Sequence, residues 1–183
     1  DENSKLGGHD LYSSSKACCE IVTESFRQSF ISTKNCRIAT VRSGNCIGGG
    51  DWTDDRIVKD CVEAFVKKKS LVIRNPNATR PWQHVMEPIY GYLKLAEKLF
   101  GIKGKSYVGS WNFGPNNVNL NVLSLAKLGK KIFKSNTKIV IKKTKNKKHE
   151  AKFLSLNSKK SFKKLKWKIF MKPEMSLKLT FDW

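Results

Sequence analysis

Tyr12 and Lys16 are the residues whose types and spacing most directly suggest chemistry, and three serines separate them. A tyrosine hydroxyl ionises near pH 10 in water, so a phenolate base that works near pH 7 must be stabilised by about 4 kcal/mol. An ammonium a few ångströms away favours that ionised form. Residues four apart share one face of an α-helix. The spacing therefore predicts a tyrosine base with a lysine partner, although surface helices also carry this spacing by chance.

The hydrophobic pattern predicts the elements that position this pair. Apolar residues at helical spacing predict α-helices at 10–30, 55–68, 86–100, 121–133 and 158–165, with a last helix before Trp183. Runs of β-branched and aromatic residues predict strands at 36–41, 71–73, 110–113 and 138–141. Asp10 is expected to cap the first helix. Strands that alternate with helices indicate an α/β fold.

The residues before Tyr12 are too few for the usual opening of a dinucleotide-binding fold. Such a fold begins with a strand, a glycine-rich turn and a helix. We therefore expect the chain to be the C-terminal part of a larger fold, with the N-terminal βαβ units absent.

The chain is strongly basic, with 36 Lys and Arg, 15 Asp and Glu, and a formal charge of +21. Most of the excess consists of lysines beyond Ala126. Such a surface attracts polyanions, but lysine lacks the planar fork with which arginine reads base edges, and no nucleic-acid-binding motif accompanies the run. We expect a solvated lysine-rich surface, with contact to a polyanion as the alternative.

The remaining composition predicts a cytoplasmic protein without a metal site. The five cysteines are odd in number and irregularly spaced, which argues against a disulfide framework or a zinc site. No apolar run approaches the roughly 20 residues of a membrane span. The polar start, Asp1 to Lys5, does not resemble a signal peptide.

Five segments together resemble the extended short-chain dehydrogenase/reductase superfamily. They are 12–16, 42–52, 74–85, 111–115 and 149–151. Their order and spacing match the superfamily's Tyr-x-x-x-Lys helix, the loop after its sixth strand, its Arg-x-Trp segment, an Asn-x-Gly strand end and a late substrate loop. Gly-Gly-Gly-Asp-Trp at 48–52 and Arg-Pro-Trp-Gln-His-Val at 80–85 are most similar to the CDP-glucose 4,6-dehydratase family. The resemblance covers about 7–167.

The resemblance implies a Rossmann-like fold that binds NAD and a nucleotide-sugar. Tyr12 would be the base for the sugar hydroxyl, and Lys16 would hold the nicotinamide ribose and tune the tyrosine. Six further residues would bind substrate: Asn45, Arg56, Arg74, Arg80, Asn112 and His149. An arginine fork suits a diphosphate. Structural roles stay open for all six, namely ion pairs or solvent exposure for the arginines, turns or caps for the asparagines, and a solvated surface for the histidine.

The activity implied is that of a lyase that converts CDP-glucose to CDP-4-keto-6-deoxyglucose, a precursor of polysaccharide sugars. It would proceed by NAD-mediated oxidation at C4, elimination of water across C5 and C6, and return of the hydride to C6. The alternatives are another NAD-dependent nucleotide-sugar epimerase or dehydratase, or a non-catalytic basic protein that binds polyanions. We expect the 183 residues alone neither to bind NAD tightly nor to turn over.

The resemblance also implies a division of the chain and an assembly state. Residues 1–54 would complete the NAD-binding core, and 55–183 would mainly form the nucleotide-sugar-binding part, interleaved with that core. The full-length protein is expected to be a homodimer, without a membrane or nucleic-acid partner.

Overall fold

The computed structural model describes residues 1–31, 36–115, 120–142 and 153–183. The chain forms two compact units, each built from three separate segments. Unit 1 consists of Asp1–Ser43, Ile89–Phe113 and Asn157–Lys168, and unit 2 of Gly44–Pro88, Gly114–Leu156 and Ile169–Trp183.

Helices and short strands alternate along the described residues. The helices are α1 (Leu11–Phe26), α2 (Ile57–Val66), α3 (Met86–Phe100), α4 (Val122–Ile132), α5 (Lys159–Leu165) and α6 (Pro173–Asp182). The strands are β1 (Ala39–Ser43), β2 (Cys46–Ile47), β3 (Leu71–Ile73), β4 (Thr79–Arg80), β5 (Gln83–His84), β6 (Gly109–Phe113), β7 (Leu120–Asn121) and β8 (Ile139–Ile141). A π-helical turn, Arg27–Ile31, extends α1.

Unit 1 is organised around a parallel pair of strands. β1 pairs with β6 in a register that sets Val41 opposite Trp111. The fully buried rings of Trp111, Phe113 and Trp167 form its centre, with Phe113 and Trp167 edge to face at 5.2 Å between ring centroids. Gly91 on α3 lies so close to Phe113 that a Cβ at this position would stand 2.4 Å from the ring. This glycine therefore lets α3 approach the aromatic core closely.

Unit 2 contains three two-stranded sheets and a helical core. β2 pairs with β5 and β3 with β8, both in parallel, whereas β4 pairs antiparallel with β7. Phe65 on α2 contacts Phe133, which follows α4, and Phe181 on α6. Leu71 and Ile73 on β3 are fully buried beside them. Burial of these large apolar groups is the main stabilisation of unit 2.

The predicted α/β elements are confirmed, with differences at their ends. β1 begins three residues later than the predicted strand, and α1 ends at Phe26 instead of near residue 30. The two-residue strands were missed because two residues carry no detectable period. None of the helices in the described parts of the chain combines the length and apolar character needed to cross a bilayer.

Candidate active site

Tyr12 and Lys16 form a pair in the first turns of α1. The Lys16 ammonium nitrogen lies 5.7 Å from the centroid of the Tyr12 ring. The tyrosine is 73% exposed, and the lysine is also exposed. The pair therefore presents a phenol and a cation together on one face of the helix, where both are open to solvent.

The residues around this pair build the start of the helix. Asp10 is the N-cap, as predicted, and its carboxylate accepts hydrogen bonds from the Ser13 backbone N–H at 2.8 Å and from the Ser13 hydroxyl at 2.7 Å. The bond from the Ser13 hydroxyl is the main cause that lowers the pKa of Asp10 below its ordinary value. The Ser15 hydroxyl donates to the Tyr12 carbonyl at 2.8 Å. The Asp10 carboxylate thereby satisfies one of the backbone N–H groups left free at the start of the helix.

A second tyrosine–lysine pair with the same spacing lies on α3. Lys94 Nζ is 5.3 Å from the centroid of the Tyr90 ring and 3.4 Å from its hydroxyl oxygen. Tyr90 is 41% exposed. The spacing and the contact are therefore not specific by themselves, and the setting of each pair must distinguish them.

In unit 2 the structure brings together two loops that the sequence predicted separately. The Asn45 carbonyl accepts a hydrogen bond from the Gln83 backbone N–H at 3.0 Å, and β2 and β5 continue from this contact. Gly44 lies against Pro81, where an added Cβ would stand 2.5 Å from the Pro81 carbonyl oxygen. The glycine is thus needed for the close approach of the two loops. Asn45 is half-buried beside them.

Arg80 is held inside this arrangement. The residue is buried, and its Nη1 donates to the Thr79 carbonyl at 2.8 Å. Trp82 fixes the following backbone, because its indole N–H donates to the Leu120 carbonyl at 2.9 Å. The Arg80 guanidinium therefore has a defined position in unit 2.

Arg56 and Arg74 are more exposed and stand in ion pairs. Arg56 is the N-cap residue of α2, and its Nε is 3.9 Å from a carboxylate oxygen of Asp51. The Arg74 guanidinium contacts Asp55. More than half of each arginine side chain is exposed. Both guanidinium groups are therefore accessible from solvent.

The other two predicted site residues differ in status. Asn112 on β6 is buried in unit 1, where its Nδ2 donates to the Asn157 carbonyl at 3.3 Å. Its role in substrate binding stays a prediction. His149 lies outside the described residues.

His84 was not singled out from the sequence, although it lies within the Arg-Pro-Trp-Gln-His-Val run. The residue is buried, and its Nδ1 accepts a hydrogen bond from the Met86 backbone N–H at 3.3 Å. Burial lowers the pKa of His84 below its ordinary value, with the Glu87 carboxylate acting in the opposite direction. The signal available in the sequence was its position four residues after Arg80, the arginine predicted to hold the diphosphate.

The chain is similar in sequence to one curated enzyme. It is 45% identical over 119 residues to CDP-glucose 4,6-dehydratase from Salmonella typhimurium, a match that covers 62% of this chain and 33% of the relative. The chain thus spans about a third of the length of this relative. No protein-family model matches the chain.

Solved structures share its fold at low sequence identity. dTDP-glucose 4,6-dehydratase from Bacillus anthracis, in complex with NAD, matches with a TM-score of 0.79 and 17% identity over 100% of this chain and 54% of its own. UDP-N-acetylglucosamine 4-epimerase from Methanobrevibacter ruminantium, in complex with UDP-N-acetylmuramic acid, matches with a TM-score of 0.84 and 18% identity over 100% of this chain and 56% of its own. As the sequence predicted, the chain resembles CDP-glucose 4,6-dehydratase in sequence and has the Rossmann-like α/β fold of the extended short-chain dehydrogenase/reductase dehydratases and epimerases.

Proposed function

We propose that this chain supplies the catalytic base and part of the nucleotide-sugar site of an NAD-dependent 4,6-dehydratase that acts on CDP-glucose. The observation that carries the proposal is the exposed Tyr12–Lys16 pair at the start of α1, in a chain 45% identical over 119 residues to such an enzyme. The product would be CDP-4-keto-6-deoxyglucose, formed with the loss of one water molecule.

The residues present fit a bound NAD. A hydroxyl and an ammonium lie on the same exposed helix face, and both can donate hydrogen bonds to ribose hydroxyl groups. When bound, NAD would supply reversible storage of the hydride that leaves the sugar at C4 and returns at C6. Lys16 would hold the nicotinamide ribose, and its charge would favour the ionised phenol.

Tyr12 would act as the base on the sugar. Its phenolate oxygen would accept the proton of the C4 hydroxyl as that carbon is oxidised. The resulting 4-keto group makes the proton on C5 acidic, and water is lost across C5 and C6. Reduction at C6 then completes the 6-deoxy sugar, so oxidation at C4 and reduction at C6 balance.

The arginines of unit 2 would hold the diphosphate. Arg56 and Arg74 now face Asp51 and Asp55 at the surface. Exposed pairs of this kind contribute only about 0–1 kcal/mol, so a diphosphate can compete with the aspartates for the guanidinium groups. Arg80 would add a fixed fork, and Asn45 a hydrogen bond. We extend the proposal to Asn112, to His149 and to a homodimer of the full-length protein.

The test is to supply CDP-glucose and NAD to the full-length gene product and to follow the 4-keto product. CDP-glucose should be converted faster than the UDP-, dTDP- and GDP-hexoses. A preference for another nucleotide would replace the proposed substrate with that of a related dehydratase, and epimerisation without loss of water would replace the reaction.

The role of the base is tested by one substitution with a matched control. Tyr12→Phe removes the hydroxyl and should lower kcat by about 10³-fold. Tyr90→Phe removes the same group from the second pair and should leave kcat within about twofold of the wild type, because general acid–base catalysis needs a group within reach of the substrate. Retained turnover in Tyr12→Phe would eliminate this tyrosine as the base.

A lysine-lined cavity supports the second candidate, a polyanion-binding function. Lys68, Lys134 and Lys138 line a cavity of about 560 Å³ in unit 2, together with Phe65 and Phe133. If this surface binds RNA, retention on an RNA column should fall steeply with salt. Retention that is insensitive to salt would reject this candidate.

A further inference from the structure

Helix α1, which carries Tyr12 and Lys16, contacts the β1–β6 sheet without burying a large apolar side chain. Among the described residues of α1, Ala17 alone is buried. Leu11 and Val22 expose more than half of their surface. A helix in a globular domain is usually oriented by an apolar stripe that faces the core. Within the described residues, the side-chain contact that ties this helix to the sheet of unit 1 is instead polar.

That contact is a polar cluster centred on the Glu20 carboxylate, whose side chain is 14% exposed. One carboxylate oxygen accepts a hydrogen bond from Arg42 Nε at 2.7 Å. The other accepts from Thr40 Oγ1 at 2.7 Å and from Ser110 Oγ at 3.1 Å. Arg42 and Thr40 belong to β1, and Ser110 belongs to β6. A single side chain of α1 therefore joins the helix to both strands of the sheet.

The cluster fixes the rotation of α1 about its own axis as well as joining the helix to β1 and β6. Hydrogen bonds weaken steeply when their angles depart from linearity, and those to a carboxylate are the stronger kind. The hydrophobic contact of a small side chain such as Ala17 has no comparable direction. Because each helical residue turns the chain by about 100°, a shift of α1 by one position would break all three bonds.

Glu20 lies on the same helix as the candidate base and follows it by two turns. Lys16 precedes it by four residues and Tyr12 by eight, so the three side chains follow one another along successive turns. At about 1.5 Å per residue, Tyr12 lies about 12 Å along the helix axis from the cluster. A continuous helix transmits a rotation at Glu20 to the tyrosine ring.

Charge keeps the cluster in its bonded form. The hydrogen bond from Arg42 is the main cause that lowers the pKa of Glu20, and it outweighs the opposing effect of burial. The same bond raises the pKa of Arg42 above its ordinary value. Both groups are therefore ionised at neutral pH, where the charge-assisted bond is strongest.

We propose that Glu20 is a positioning residue, which sets the rotation of α1 through Arg42, Thr40 and Ser110 and so aims Tyr12 and Lys16 at the substrate. This proposal rests on the dehydratase function proposed above. Glu20 does not touch the reacting atoms. Its contribution is orientation, which affects the rate of the chemical step more than the binding of a nucleotide-sugar whose diphosphate is held elsewhere.

The experiment compares Glu20→Gln with Glu24→Gln in the full-length gene product. Glu24 lies on the same helix one turn later, is more exposed, and pairs with Arg27. Glutamine preserves the shape of either side chain and removes its charge. Arg42→Lys tests the same contact from the strand. For each variant we would measure kcat, KM and the folded fraction, the last by circular dichroism.

We expect Glu20→Gln to lower kcat by about 10- to 100-fold, with KM within about threefold of the wild type, because misorientation costs rate without removing a substrate contact. Arg42→Lys should reproduce the effect, and the double variant should be no worse than either single one. Glu24→Gln should match the wild type. A kcat for Glu20→Gln within about twofold of Glu24→Gln, or one that falls only in proportion to the folded fraction, would overturn the proposal.

Rejection of the proposed dehydratase function would give a different experimental result from rejection of the role of Glu20. If the wild-type gene product shows no dehydratase activity, the proposed function is rejected, and amide hydrogen exchange decides the role of Glu20. Faster exchange along α1 in Glu20→Gln, but not in Glu24→Gln, would support Glu20 as the group that holds the helix. Equal exchange in the two variants would reject it.

Discussion

The two tyrosine–lysine pairs of unit 1 have nearly the same geometry but different surroundings. The lysine nitrogen is 5.7 Å from the Tyr12 ring centroid in one pair and 5.3 Å from that of Tyr90 in the other. Tyr12 lies in the first turn of α1, and Asp10 is the N-cap of that helix. Tyr90 stands in the second turn of α3. A shared spacing therefore produces a shared contact in two unrelated settings.

The helices that carry the two pairs are also held differently. α3 buries Leu95 and brings Gly91 against the aromatic core. α1 instead uses the Glu20 carboxylate to bind three polar side chains. Apolar packing stabilises a helix without much direction, whereas a polar cluster selects one rotation. Spacing alone therefore does not distinguish the two pairs, whereas the contacts that hold their helices do.

Among substitutions that keep both tyrosines, the largest effect is expected at Lys16. Lys16→Met removes the ammonium beside Tyr12 and should lower kcat of the full-length gene product by about 100-fold, because in the proposed mechanism Lys16 holds the nicotinamide ribose next to the base. Lys94→Met makes the same change beside Tyr90 and should leave kcat unchanged. Steady-state assays with CDP-glucose measure both. Equal losses in the two variants would remove the distinction between the pairs.

An intermediate effect is expected at acid pH. The lowered pKa of Glu20, caused mainly by the Arg42 hydrogen bond, means that the folded state favours the carboxylate. Its stabilisation is therefore complete above the ordinary glutamate pKa of about 4.3 and is lost as the pH falls through the lowered folded value.

Urea unfolding measures this effect. The free energy of unfolding of the wild type should exceed that of Glu20→Gln at pH 7, and the difference should shrink towards pH 3. Glu24→Gln is the matched control, because it removes a more exposed carboxylate whose pair with Arg27 contributes little stability. A constant difference between wild type and Glu20→Gln across this range would show that ionisation of Glu20 does not stabilise unit 1.

The smallest effect is expected for the stability contributed by the pairs themselves. An exposed lysine beside an aromatic ring contributes less than about 1 kcal/mol. Lys16→Met and Lys94→Met should therefore lower the free energy of unfolding by similarly small amounts in denaturant titrations. A large loss of unfolding free energy in Lys16→Met alone would mean that this lysine has a structural role. Its effect on kcat would then have to be corrected for the unfolded fraction.

The sequence predicted the helices well because their signals are local. The 86–100 helix was predicted at its observed bounds, and Asp10 was recognised as a cap from its position before an apolar repeat. The short strands β2, β4, β5 and β7 were missed. Their pairing depends on partners far along the chain, such as Gln83 for Asn45, and two residues are too few to show alternation.

The predicted site divides in the same way. The contact of Lys16 with Tyr12 follows from a separation of four residues on a helix. The burial of Asn112 and the exposed pairing of Arg74 with Asp55 did not follow from the motifs that contain these residues. Glu20 was not predicted at all. Its position one turn after Lys16 was visible, but its partners Arg42 and Ser110 are 22 and 90 residues away.

The sequence by itself therefore determined which chemical groups stand together within one helix or one loop, because backbone geometry repeats over a few residues. The resemblance to the dehydratases was also visible in the sequence, because the order of the motifs can be read directly from the chain. Only the tertiary structure decided how the helix with Tyr12 is rotated and which arginines remain exposed. Those properties arise from contacts between distant segments, whose directions and burial no spacing rule contains.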